Sequence, residues 1–158
     1  MSLARNLQIL LGAVLLPLAT AAFAAPVPHP DPKLDPAAVV RIQLRALAHN
    51  DKPRPDAGLA IVFSFTSPGN REQTGPLEHF SAMVHAGYAQ LLNHRSAKLN
   101  PVVLQGDQAL QGVELVDHNG DTTRFVFVLS RQSEAPYAGC WMIDGVMQQP
   151  EDTDKQAM

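Results

Sequence analysis

From Asp35 onward the apolar positions recur first with a helical period and then with a strand period. Asp35-Pro36 reads as an N-cap followed by the first residue of a helix. Val40, Leu44 and Leu47, flanked by Val39 and Ile42, mark its buried face, and it ends near His49-Asn50. Arg41 and Arg45, one turn apart, form a polar flank. Gln43 falls on the apolar side, three residues after Val40 and four before Leu47. A buried amide has to find hydrogen-bond partners, so Gln43 either bonds internally or lines a cavity. Beyond a loop at 51–55, Asp56 caps a second helix over 57–65, although its Ile61-Val62-Phe63 also suits a strand. Ser67-Pro68-Gly69-Asn70 reads as a break. Gly75-Pro76 then opens a third helix over 76–93, with Leu77, Phe80, Met83, Val84, Tyr88, Leu91 and Leu92 in one stripe.

After His94 the period shortens. Apolar runs at 101–105, 113–116, 123–130 and 137–147 read as four strands. His118-Asn119-Gly120-Asp121 between the second and third is a hairpin signal. Phe125, Phe127 and Leu129 share one face of the third strand; Trp141, Ile143 and Gly145 are expected to share one face of the fourth. Helices followed by strands imply an α+β fold: three N-terminal helices packed on a curved four-stranded antiparallel sheet. The predicted core is Val40, Leu44, Phe80, Val84, Tyr88, Phe125, Phe127, Trp141 and Ile143.

The N-terminus carries a different signal. Arg5, an apolar segment from Leu7 to Leu16 closed by Pro17, and Ala22-Phe23-Ala24 follow the three-part layout of a secretory signal, with cleavage before Ala25. The apolar run is about half the ~20 residues that a membrane span needs. The organisation read from the sequence is a signal peptide at 1–24, a Pro-rich flexible leader at 25–34, a single domain at 35–149 and a disordered tail at 150–158. The location is the periplasm or the medium, with no integral membrane segment after cleavage.

Taking Arg5 away with the signal leaves 11 basic and 15 acidic side chains, a net charge of −4. That balance, without clustered Lys and Arg, argues against a nucleic-acid partner. With 46% hydrophobic residues the chain can build a core. Cys140 is the single cysteine, so no intramolecular disulfide is available. Gly-rich phosphate loops, paired Cys-x-x-Cys, His-Glu-x-x-His and Gly-x-Ser-x-Gly are absent, and the six histidines are dispersed. The sequence therefore points to no catalytic residue, no metal and no cofactor.

Two blocks are more specific: Ser67-Pro68-Gly69-Asn70-Arg71-Glu72-Gln73-Thr74-Gly75-Pro76-Leu77, running into His79-Phe80-x-x-Met83-Val84, and Trp141-Met142-Ile143-Asp144-Gly145-Val146. With Gln43-Leu44-x-Ala46-Leu47 and Asn50-Asp51 they resemble a bacterial exported family, number 4864 of the domains of unknown function, over 39–147. A departure is Phe63-Ser64-Phe65-Thr66-Ser67-Pro68, where the family usually has Ala in place of Thr66. The family supplies no catalytic residues. The element order also resembles the wider nuclear-transport-factor-two-like, cystatin-like or SnoaL-like cone, which implies a sheet curved around a cavity. Fold alone does not give function.

The candidate pocket residues are Gln43, Thr66, Tyr88 and Trp141, around an apolar cavity below ~300 Å³. Asp144 is a further polar candidate, or else caps a turn or bulge. Asn70 and Arg71 are loop candidates. Asn70 is expected in a left-handed turn. Arg71 either pairs with Asp51 or Glu78 to lock the loop or grips a carboxylate of a ligand. The leading functional reading is a non-catalytic domain of the cell envelope that binds a small apolar ligand or acts as an accessory. The alternatives are a SnoaL-like enzyme acting on a hydrophobic small molecule and a homodimeric interaction module using the open sheet face. N-terminal sequencing of the protein from a cell-envelope fraction is expected to start at Ala25; an intact Met1 there would refute cleavage.

Overall fold

The computed structural model describes residues 25–150, so the proposed signal peptide and residues 151–158 of the proposed tail lie outside it. Four helices precede the sheet: α1 (Pro36–Ala48), α2 (Ala57–Ser64), α3 (Pro68–Thr74) and α4 (Leu77–Gly87), with a 3-10 turn at Ala89–Leu91. The strands are β1 (Ser96–Leu99), β2 (Val103–Gln105), β3 (Gln108–Val116), β4 (Thr122–Arg131) and β5 (Trp141–Gln148). They form an open antiparallel sheet ordered β1-β3-β4-β5, with β2 pairing the remaining length of the β3 edge. The fold is α+β as expected, with one more helix and one more strand. Among the described residues no helix is long and apolar enough to cross a membrane.

α1 starts as its sequence dictates. The Asp35 carboxylate accepts from Ala38 N at 2.7 Å and Pro36 occupies the first turn. Its buried face carries Val39, Val40, Leu44, Leu47 and Gln43. α3 is the missed helix. Ser67 Oγ accepts from Asn70 N at 3.3 Å and Pro68 sits at the first position, so the residues read as a break are a helix start. Asn70 is therefore helical, which corrects its expected left-handed turn. Gly75, at φ 73°, ends α3, with its N–H bonded to Arg71 O. The third predicted helix is correspondingly shorter: α4 stops at Gly87, and Tyr88 leads into the 3-10 turn.

The expected hairpin exists with a longer loop. Asp117 Oδ1 accepts from the N–H groups of Asn119, Gly120 and Asp121 at 2.8, 2.8 and 2.9 Å, and Gly120 takes φ 101°. Burial raises the Asp117 carboxyl, but these N–H donors outweigh it and hold it below the usual range. In β4, Phe125, Phe127 and Leu129 point inward and are fully buried. Of the predicted core all but Tyr88 are buried in one cluster; Tyr88 is half-buried and packs against it. Phe65, Leu59 and Leu115 join them with no exposure.

β5 departs from simple alternation. Ile143 stands opposite Leu129 and Gly145 opposite Val128, leaving Asp144 as the extra residue of a bulge. The phase slips there, so Val146 rather than Gly145 comes opposite the inward Phe127. The free edge of β5 meets the helices. Ile143 N donates to Phe65 O at 2.9 Å, Ser67 N donates to Ile143 O at 2.8 Å, and Thr66 forms a parallel bridge to Ile143.

A polar knot joins α1, α2 and α4. Asn50 is fully buried; its Oδ1 accepts from Leu59 N, and its Nδ2 donates to Asp51 and Asp56. Asn93 Nδ2 donates to Asp51 Oδ2 at 2.7 Å and is the chief reason the Asp51 carboxyl lies below its ordinary range. His85 Nε2 reaches the Asp56 carboxylate at 2.9 Å. Beside this knot Gly58 N donates to Asn50 O, and a Cβ on Gly58 would overlap Ala46 O. Gly58→Ala is expected to destabilise by ~1–3 kcal/mol or more through this overlap. Gly69→Ala, in α3 with open space around it, is expected to be neutral or to stabilise by ~0.4–1 kcal/mol. Urea unfolding of the two variants checks the pair, and equal midpoints would mean that α1 and α2 do not approach as described.

Candidate functional site

A cleft of about 270 Å³ lies between the helices and the β4–β5 half of the sheet. Each wall follows from local periodicity. α1 supplies Gln43 and Leu47, four residues apart on its buried face. α3 supplies Asn70, Gln73 and Thr74, and α4 supplies Phe80, Met83 and Val84, both sets at i, i+3, i+4. Phe127 comes from β4, and Ile143, Asp144, Gly145 and Val146 come from the bulged stretch of β5. Gln43, Thr66, Phe127 and Ile143 are buried, whereas Gln73 and Met83 are exposed, so the cleft has a closed floor and an open rim.

Four of the six predicted site residues meet here: Gln43, Thr66, Tyr88 and Asn70. Trp141 does not. It stands opposite Arg131, whose guanidinium lies 6.0 Å from the indole, two residues from Ile143 on the side away from the bulge. Arg71 does not line the cleft either. Its Nη2 donates to Phe63 O at 3.2 Å and Ser64 O at 2.7 Å, and Nη1 donates to the Tyr137 hydroxyl at 3.3 Å. The guanidinium also lies over the rings of Phe63 and Tyr137, at 5.2 and 5.6 Å from their centroids. Its partners are the last carbonyls of α2, not Asp51 or Glu78. A helix C-terminus leaves such carbonyls without intrahelical donors, and a cation satisfies them.

The polar groups of the cleft fall into two sets. Thr66 Oγ1 donates to Val62 O at 3.4 Å, Thr74 Oγ1 to Asn70 O at 3.0 Å and Asn70 Nδ2 to Ile143 O at 3.4 Å, so these are spent on backbone. Gln43 is 1% exposed and its Nε2 has no hydrogen-bond partner. A buried unsatisfied donor costs ~1–3 kcal/mol, and among the described residues Gln43 bears that cost within the cleft lining. Gln73, Thr74 and Met83 line the cleft although the predicted pocket residues did not include them; Asp144, the further polar candidate, lines it as well. The i, i+3, i+4 spacing of 70, 73 and 74 becomes readable once α3 is recognised as a helix.

Elsewhere the chemistry is quiet. Cys140 is 2% exposed and burial, with help from Asp31, pushes its thiol up, which suits a packed side chain rather than a nucleophile. Among the described residues no group of three His, Cys, Asp or Glu could hold a metal ion.

An α+β domain with a half-open, mostly apolar cleft between its helices and one end of its sheet is the class defined by this geometry. The family model described as Domain of unknown function (DUF4864) matches residues 31–156, and the chain belongs to that family. No curated protein and no solved structure matches the chain significantly.

Arg71→Lys tests the clamp on α2. Lysine offers one ammonium in place of a planar fork and cannot hold two carbonyls, a hydroxyl and two ring faces together. A loss of ~1–2 kcal/mol in urea unfolding is expected. Unchanged stability would show that the guanidinium does not hold α2.

Proposed function

We propose that this is an exported cell-envelope protein whose cleft binds a small, largely apolar molecule without transforming it. The observation that carries the reading is the Gln43 amide, buried at the floor of a 270 Å³ cleft with its Nε2 unpaired. A fold bears the cost of an unsatisfied buried donor most readily where a ligand acceptor completes it. Phe80, Val84, Phe127 and Ile143 give the ligand an apolar wall, and the volume lies just under the range of drug-sized sites, ~300 Å³ and above. Binding is favoured over turnover by the lining: among the described residues it holds one carboxylate and one phenol, with no histidine to serve as an acid or base near neutral pH. Export rests on the N-terminal sequence pattern.

The test is a titration of ¹⁵N-labelled protein with neutral aliphatic and aromatic alcohols and ketones. Shifts are expected at the Gln43 side-chain amide and at the backbone of Tyr88 and Ile143. If no probe moves these signals the cleft is not a ligand site, and a surface-interaction role, such as a homodimer through the open sheet face, takes its place. Gln43→Leu is expected to keep or raise stability by ~1 kcal/mol, since an unpaired amide is removed, while weakening the same probes. A marked loss of stability would mean that the amide is satisfied within the protein.

A further inference from the structure

The cleft is chemically lopsided at its rim. Among the described residues Asp144 is the single carboxylate in its lining, and no Lys, Arg or His lines it. Arg71 is engaged with the α2 carbonyls, Arg131 with Asp107 and Trp141, and the His85 ring with Asp56. Asp144 has no hydrogen-bond or ion-pair partner among the described residues. It is half-buried, and the residues beside it in the cleft include Ile143 and Val146.

The position of this carboxylate follows from the backbone. In an unbroken strand Asp144 would oppose a β4 residue and the alternation would run on to Gln148. The bulge between Val128 and Leu129 leaves it unopposed and brings it into the cleft lining. A carboxylate beside apolar surface with no counter-charge loses hydration without compensation. At the cleft mouth an occupant can supply that counter-charge.

We propose that the ligand is a primary or secondary amine on an apolar body, bound with its ammonium at Asp144 and its apolar part toward Phe80, Val84 and Phe127. The proposal rests on the cleft being a ligand site and adds the charge of what it takes. An anionic ligand meets one like charge and no cation, so fatty acids and other carboxylates are disfavoured. A neutral ligand of the same shape keeps the apolar contacts and loses the ion pair. The arrangement also explains why Arg71, the one guanidinium in α3, does not spoil the preference: its charge is spent on α2 and Tyr137.

The experiment compares 2-phenylethylamine, 2-phenylethanol and phenylacetate by the same ¹⁵N titration at low salt, on the wild type and on Asp144→Asn. In the wild type the amine is expected to bind about threefold to fivefold more tightly than the alcohol, the upper part of the range of a partly exposed ion pair, with phenylacetate weakest. In Asp144→Asn the advantage of the amine over the alcohol should vanish. Added salt should shrink the advantage in the wild type only. Equal binding of amine and alcohol to the wild type, or tightest binding of phenylacetate, overturns the charge assignment and leaves the cleft reading standing. An amine preference that survives in Asp144→Asn overturns the role of Asp144. Failure of all three to shift Gln43, Tyr88 and Ile143 overturns the cleft reading and this proposal with it.

Discussion

The backbone of Ile143 joins the two layers of this domain. Its N–H and C=O, which a central strand would spend on a neighbouring strand, go instead to Phe65 O and Ser67 N in the segment between α2 and α3. That pairing covers part of an edge that would otherwise stand open to another chain. It also fixes where α2 ends and α3 begins, since Ser67 is both a partner of Ile143 and the N-cap of α3. Thr66 and Asn70 are thereby held against β5 on one side of the cleft. One residue later the bulge begins, so the same strand that anchors the helices also changes phase at Asp144.

A second constraint acts at the opposite end of α2. Gly58 lets α1 and α2 approach to backbone contact, and Asn50 satisfies the amides that this approach buries. The two constraints work in series. α1 is tied to α2 through Gly58 and Asn50, and α2 is tied to β5 through Phe65. Gln43, one turn before Leu47 on the buried face of α1, is thus carried to the floor of the cleft. Its position depends on backbone contacts at both ends of a helix of only eight residues.

Local signals made much of this legible. Asp35-Pro36 announced α1, the stripe from Leu77 to Val84 announced α4, and period-two alternation announced β4. What escaped were features decided by partners far along the chain. Ser67-Pro68-Gly69 carries both a start and a stop signal, and the start won because Ser67 is also held by Ile143. β1, Ser96–Leu99, is short and lacks a buried side chain, so its strand character comes from pairing with β3. Asp144-Gly145 leaves a bulge open as one reading of the sequence, but the phase slip itself belongs to the register between β4 and β5. Trp141 was placed in the pocket because alternation set it beside Ile143, yet the cleft follows β5 in the other direction, through the bulge. Charge alone suggests a carboxylate for Arg71, from Asp51, Glu78 or a ligand, whereas its acceptors are carbonyls at the end of the preceding helix.

Gln43 gains its meaning by comparison with the other buried side-chain atoms that lack a partner. Arg71 Nε is one, but that guanidinium is held by three other hydrogen bonds. Gln111 Oε1 is another, on a side chain whose Nε2 donates to Asn100 O at 2.9 Å. Gln90 Oε1 belongs to a half-buried side chain on the 3-10 turn, and Gln90 does not line the cleft. Among the described residues only Gln43 combines near-complete burial, an unpaired donor and a place in the cleft lining. An apolar residue of similar size would fill the same position at less cost to folding. That combination of burial, unpaired donor and position is what the proposed ligand role of the cleft rests on.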